Sequence, residues 1–184
     1  MKKRLIRSKK GLGVGEIFVY IVAALTFAVI MIFGYKIIND FIHRGEDVQF
    51  LQFKNDLEGS VKKIYADYGS SRKETFHLPG GFDQICFVDF DSPYNVKFCD
   101  YDAVACSFWK GISDQKGDDS GYDLASENVF LKPAAAQQIK VFQFQVLPAK
   151  EGEEGFLCVP IVKGSFTLVL EGKGDRTELS LPQN

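Results

Sequence analysis

The sequence predicts an α+β protein in which a long N-terminal transmembrane and amphipathic helix is followed by an antiparallel β-rich extracytoplasmic head. Residues 17–35 contain no charged side chain. Apolar residues then recur every three or four positions between residues 50 and 68, which is helical spacing. After residue 82 the apolar period changes to two, as in half-buried strands. The 184 residues suffice for one domain and an additional segment.

Residues 1–11 form a basic leader. Six of the 22 Lys and Arg residues lie within the first ten positions, which leaves 16 basic against 24 acidic residues in the remainder. A basic tip on an acidic body argues against nucleic acid as a partner, because a nucleic-acid-binding protein needs a basic face on its folded part. The leader instead fits the rule that positive flanks of a membrane helix stay in the cytoplasm.

Residues 12–36 are predicted to form the transmembrane helix. The 19 uncharged residues from Ile17 to Tyr35 span about 28 Å as a helix, close to the hydrocarbon thickness of a bilayer. A secretory signal fits less well, because its apolar core is shorter and "GYKIINDFIHR" offers no small-residue cleavage site. We therefore expect a single-pass protein of the cell membrane that contacts lipid, with a cytoplasmic N-terminus and everything from Lys36 onward outside.

Residues 37–72 are predicted to form an amphipathic helical extension. One long helix and two helices with a kink near Gly45 are both compatible with the pattern, since glycine weakens a helix. The segment "GSSR" at 69–72 is expected to end the helix. The apolar stripe consists of Phe50, Phe53, Leu57, Val61, Ile64 and Tyr68.

Residues 73–184 are predicted to form the β-rich extracytoplasmic domain. Asp102 is expected to cap a short helix over 102–110, followed by a polar loop over 111–123. The turn segments "KG" and "GKGD" predict that the last three strands form an antiparallel meander. The predicted strands cover residues 82–90, 94–99, 127–132, 139–147, 155–162, 165–172 and 176–181.

All four cysteines lie in the part predicted to be exported, where disulfides can form. Four cysteines allow three pairings, and the sequence does not choose among them. A turn at residues 91–94 would place Cys86 opposite Cys99 on a hairpin, which makes that pairing geometrically feasible. Four buried free thiols are the alternative. The cysteines are Cys86, Cys99, Cys106 and Cys158.

The motifs of common enzymes and metal sites are missing from the sequence, so we expect neither an enzyme nor a cofactor. No G-x-S-x-G, H-E-x-x-H or phosphate-binding loop occurs. The cysteines form no C-x-x-C pair, which argues against zinc. The acidic loop does not match the calcium-binding EF-hand pattern, so we expect it to be a solvated loop; its carboxylates are Asp114, Asp118, Asp119 and Asp123.

The N-terminal layout resembles that of type IV pilin-like proteins, including the archaeal ones with a class III signal peptide, and leans towards the archaeal members. The basic leader ends in "KKG", an apolar helix follows at once, and Glu16 is the fifth residue counted from Leu12. The resemblance implies that a prepilin peptidase cuts after Gly11, so that Lys10, Gly11 and Leu12 form the processing site. It also implies that Glu16 pairs with the new Leu12 amine of a neighbouring subunit.

The resemblance implies a structural subunit of a type IV pilus-type filament or secretion assembly, with other pilin-like subunits as partners. A carboxylate in hydrocarbon costs about 2.5–3.5 kcal/mol, and a nearby amine would offset that cost. The alternative is that Glu16 lies at headgroup depth. The chain would then be an uncleaved single-pass anchor that carries an extracellular β-rich binding domain for an unknown partner.

Overall fold

A computed structural model describes residues 14–182 of the chain. Two compact units meet in sequence between Gly45 and Glu46, and each is described by itself. The helices are α1 (Val14–Tyr65), α2 (Ala103–Gln115) and α3 (Gly121–Leu124), with a 3-10 helix at Val96–Asp100. The strands are β1 (Ser71–His77), β2 (Gln84–Val88), β3 (Val129–Lys132), β4 (Phe144–Val146), β5 (Phe156–Pro160), β6 (Ser165–Gly172) and β7 (Thr177–Ser180). The prediction of an α+β protein with an N-terminal apolar helix and mainly antiparallel sheets is confirmed.

The helical assignment of α1 is continuous through Gly45. Five residues of the predicted stripe are buried in the main core of the second unit, namely Phe50, Phe53, Leu57, Val61 and Ile64. The sixth, Tyr68, is 83% exposed, so its assignment to the stripe is wrong.

The helix ends at Tyr65, four residues before the "GSSR" segment that was expected to end it, and the chain turns back at Gly69 of that segment, whose φ of +76° favours glycine. The turn leads directly into β1. Gly69 N–H donates to the Gly172 carbonyl at 2.9 Å, and Gly172 N–H donates to the Ser70 carbonyl at 2.9 Å. These two bonds join the helix end to the end of β6.

The first sheet has the strand order β1-β6-β7-β4. Its β1–β6 and β6–β7 pairs are antiparallel, whereas β4 and β7 are parallel. Burial alternates along β6, as the period of two requires, and its inward residues share a core with the α1 stripe. Phe53 meets Phe166 edge to face, with ring centroids 6.1 Å apart. The sheet is therefore the surface that buries the stripe.

The second sheet, with the order β3-β2-β5, is covered on both faces. Ile85 and Phe87 of β2 face the main core, whereas Cys86 and Val88 face a second, aromatic core. A strand buried on both faces reads as a continuous apolar run, which explains the "ICFV" of β2. The aromatic core is closed by α2, whose Trp109 is fully buried.

The predicted helix after residue 102 is confirmed, together with its cap. Asp102 accepts hydrogen bonds from the N–H groups of Val104 and Ala105, each at 2.9 Å. The predicted loop over 111–123 is wrong at both ends, because α2 continues to Gln115 and α3 begins at Gly121. Apolar burial of Ile112 extends the helix into that segment.

Several strand predictions also need correction. Residues 96–100 form a 3-10 helix rather than a strand, because the Asn95 side chain accepts a bond from Lys97 N–H and turns the chain. The meander is wrong for β5, which pairs with β2 in the other sheet, while the β6–β7 hairpin is confirmed. Strand β1 was not predicted, since six of its seven residues are polar or charged.

The four cysteines form two disulfides, Cys86–Cys158 and Cys99–Cys106, and none is free. The feasible pairing of Cys86 with Cys99 is wrong, because the second strand of that hairpin does not exist. Cys86 instead lies opposite Cys158 in the β2–β5 register. The second disulfide joins the 3-10 helix to α2.

Candidate functional site

The strongest functional feature of the described chain is the apolar segment of α1, defined as Ile17–Asn39. None of its 23 residues is buried, and an 18-residue window within it has a mean hydropathy of 2.7. As a helix it is about 34 Å long, which matches the roughly 30 Å hydrocarbon core of a bilayer. Large side chains are exposed along its length, including Phe27 at 64% and Ile32 at 69%. An exposed apolar surface of this size marks a site of interaction with a membrane or with another protein.

Three polar side chains of the apolar segment, those of Tyr20, Thr26 and Tyr35, suit a bilayer. Thr26 Oγ1 donates to the carbonyl oxygens of Val22, at 2.5 Å, and Ala23, at 3.2 Å. Its hydroxyl therefore needs no water. Tyr20 and Tyr35 lie towards opposite ends of the segment, where amphipathic rings favour the membrane–water interfaces.

The sequence-predicted processing residues Lys10, Gly11 and Leu12 lie outside the described residues. Glu16 belongs to α1 and directly precedes the apolar segment, but its side chain lies outside what the structure describes. The geometry of the predicted assembly pair is thus not part of the described structure.

In the head, Asp91 organises a polar network that the sequence did not predict. Its carboxylate accepts bonds from the hydroxyl of Ser120 at 3.0 Å, Gly121 N–H at 2.8 Å and Gln143 Nε2 at 2.7 Å. Lys116 Nζ lies 3.3 Å from the same carboxylate. Partial burial alone would raise the pKa of Asp91, but these donors outweigh it and hold the pKa below its ordinary value. Asp91 therefore ties the turn after β2 to α3 and to the segment before β4.

The pKa of the neighbouring Asp89 is shifted in the opposite direction. Burial raises the pKa of its carboxyl, although Ser92 Oγ donates to it at 2.8 Å and Asp91 N–H donates at 3.0 Å. The pKa values of the two neighbouring carboxyls thus shift in opposite directions, because desolvation outweighs the hydrogen bonds at Asp89 whereas the hydrogen bonds outweigh desolvation at Asp91. Residues 14–182 contain no group of three or more His, Cys, Asp and Glu residues placed to hold a metal ion.

The Asp91 network joins residues up to 52 positions apart, which explains why spacing along the chain did not indicate it. A short signal for the turn itself was nevertheless present, since "DFDS" follows the buried strand β2 and aspartate often bonds nearby backbone at such a turn, as Asp89 does with Asp91 N–H. The network connects the turn after β2 with α3 and with the segment before β4. Comparisons with known protein families, with curated proteins and with solved structures find no match to this chain.

Proposed function

We propose that the chain is a pilin-like structural subunit of a type IV pilus-type filament or secretion assembly, anchored in the cell membrane. The observation that carries this proposal is the apolar segment, a helix of bilayer length with no buried residue. In the second unit, the later residues of the same helix bury their stripe against a sheet. One helix thereby supplies both the anchor and part of the core of the head.

The proposed topology places the leader in the cytoplasm and the head outside. The basic residues of the leader support this orientation. The two disulfides of the head support it independently, because disulfides persist in oxidising compartments. Membrane lipid is accordingly the first partner of the chain.

A prepilin peptidase is the second proposed partner, and it cuts after Gly11. The resulting Leu12 amine carries a positive charge and pairs with Glu16 of a neighbouring subunit at the edge of the low-dielectric phase. Removing one member of such a pair leaves a desolvated charge, which costs about 3–5 kcal/mol. The pair therefore fixes the register of one subunit against the next.

The replacement Glu16→Ala tests the assembly role, with Asp47→Ala as the matched control. Asp47 is an exposed carboxylate on the same helix, outside the apolar segment. We expect both variants to insert in the membrane at normal levels. We expect E16A to reduce the sheared surface fraction at least about tenfold, since a loss of 1.4 kcal/mol is already tenfold, and D47A to leave it unchanged.

Normal assembly of E16A would contradict the pairing of Glu16 with the Leu12 amine. Loss of assembly in both variants would show a general effect of charge removal and would also contradict the specific role of Glu16. The insertion measurement separates an assembly defect from a defect in membrane targeting.

A further inference from the structure

A groove of about 870 Å³ runs along the side of β1 in the second unit. Polar residues of α1 form one wall, including Gln52, Asn55 and Ser60. Residues 72 and 74–77 of β1 form the other wall together with Leu78 after it, and Phe53 and Phe76 contribute apolar surface. The groove is therefore long, open and bordered by a strand.

Strand β1 lies at the edge of its sheet and pairs only with β6. Leu78 N–H donates to the Gly164 carbonyl, and Gly172 N–H donates to the Ser70 carbonyl. In an antiparallel pair only every second residue exchanges backbone hydrogen bonds with the neighbouring strand. These two bonds show that the even-numbered residues of β1 are the ones that bond to β6. The backbone N–H and C=O groups of Lys73, Thr75 and His77 consequently point away from the sheet. None of them bonds to another described residue.

The groove is lined by more basic than acidic side chains, whereas the second unit as a whole is acidic. Residues 46–184 carry 14 basic and 22 acidic side chains. The groove is lined by Lys63, Arg72 and Lys163 against Asp56 and Glu74. The three basic side chains form no salt bridge within residues 14–182. Lys73 adds a further exposed positive charge on the strand itself.

We propose that β1 binds an extended acidic segment of a partner protein, which adds to the first sheet as a fifth strand. The outward N–H and C=O groups supply main-chain hydrogen bonds, and the basic side chains select carboxylates. A second copy of β1 is a poor occupant, because the strand is itself basic: Arg72 and Lys73 outnumber its one carboxylate, Glu74. This binding site is separate from the apolar segment and does not depend on its assembly role.

The test uses full-length chain in detergent micelles and an array of nine-residue peptides that samples acidic, neutral and basic alternating patterns. The informative pair of variants is Thr75→Pro and Thr75→Val. Proline removes one outward N–H, while the β1–β6 bonds made by the even-numbered residues remain. Valine keeps the N–H and removes the exposed hydroxyl, whose 2.9 Å hydrogen bond with the Thr167 hydroxyl is lost in the proline variant too. We expect acidic peptides to bind, T75P to weaken binding at least about tenfold, and T75V to change it less than about twofold.

A second pair of variants tests the charge selection. The double replacement Lys63→Glu and Arg72→Glu should abolish binding of acidic peptides, whereas Lys110→Glu, an exposed lysine on α2, should not. Far-UV circular dichroism and thermal unfolding confirm that each variant is folded. Binding of basic or neutral peptides in preference to acidic ones, or no peptide binding at all, would overturn the proposal. So would T75P-sensitive self-association of the chain without peptide, which would identify a second copy as the occupant.

Discussion

At the residue scale, Asp91 holds together parts of the head that are distant in sequence. Its donors come from the end of α2, from the start of α3 and from the segment before β4. Gly121 is required at one of these positions, because a Cβ there would collide with the carbonyl oxygen of Phe90. The turn after β2 and the start of α3 therefore pack too closely to admit a side chain at position 121.

Replacing Asp91 with Asn should lower the free energy of unfolding by about 1–3 kcal/mol at pH 7, since hydrogen bonds to a charged acceptor are lost. The lowered pKa of Asp91 gives a pH dependence with a definite sign. Its stabilisation is present above the ordinary value of 3.8 and disappears as the pH falls through the lower folded value. Urea unfolding at pH 7 and near pH 3 measures the difference.

The matched control is Asp118→Asn, which changes an exposed aspartate in the same region. It should alter stability by less than about 0.5 kcal/mol at either pH. The raised pKa of Asp89 acts in the opposite direction, because its charge costs stability at neutral pH and is neutralised as the pH falls. An equal loss for D91N at both pH values would contradict the electrostatic role of Asp91.

At the element scale, the second unit depends on the burial of the α1 stripe. Leu57 is fully buried in the main core, whereas Leu51 on the same helix is 47% exposed. Leu57→Ala should destabilise the head by about 2–5 kcal/mol through lost contacts and a residual cavity. Leu51→Ala should cost less than about 1 kcal/mol. Thermal unfolding of the two variants in the same detergent makes the comparison, and equal losses would contradict the packing.

Local patterns predicted the elements whose burial has a clear period. The α1 stripe, the alternation of β6 and the Asp102 cap each depend on a few adjacent residues. Strand β1 was missed because its membership in the sheet comes from pairing with β6, about 90 residues later, rather than from its own apolar content.

The disulfide pairing also depends on the register between strands that are distant in sequence. Cys86 pairs with Cys158 because β2 and β5 align them, although 72 positions separate the two residues. The spacing of the cysteines along the chain does not indicate that alignment. The apolar segment was predictable for the opposite reason, since the uncharged run over residues 17–35 is a property of consecutive residues. The Asp91 network and the β1 groove both required the tertiary arrangement.

At the scale of the whole molecule, the two units need different surroundings. The apolar segment exposes its large side chains on all sides. The head buries two cores and carries both disulfides. A bilayer with an oxidising compartment on one side satisfies both requirements.

The central claim is that the chain is a membrane protein processed at its leader. Mass spectrometry of the N-terminus tests it most directly, on chain isolated from membranes of cells that contain a prepilin peptidase. The account predicts that the protein is recovered only with detergent and that its N-terminal residue is Leu12. Recovery of the full-length chain from the water-soluble fraction, with the leader attached, would contradict the account.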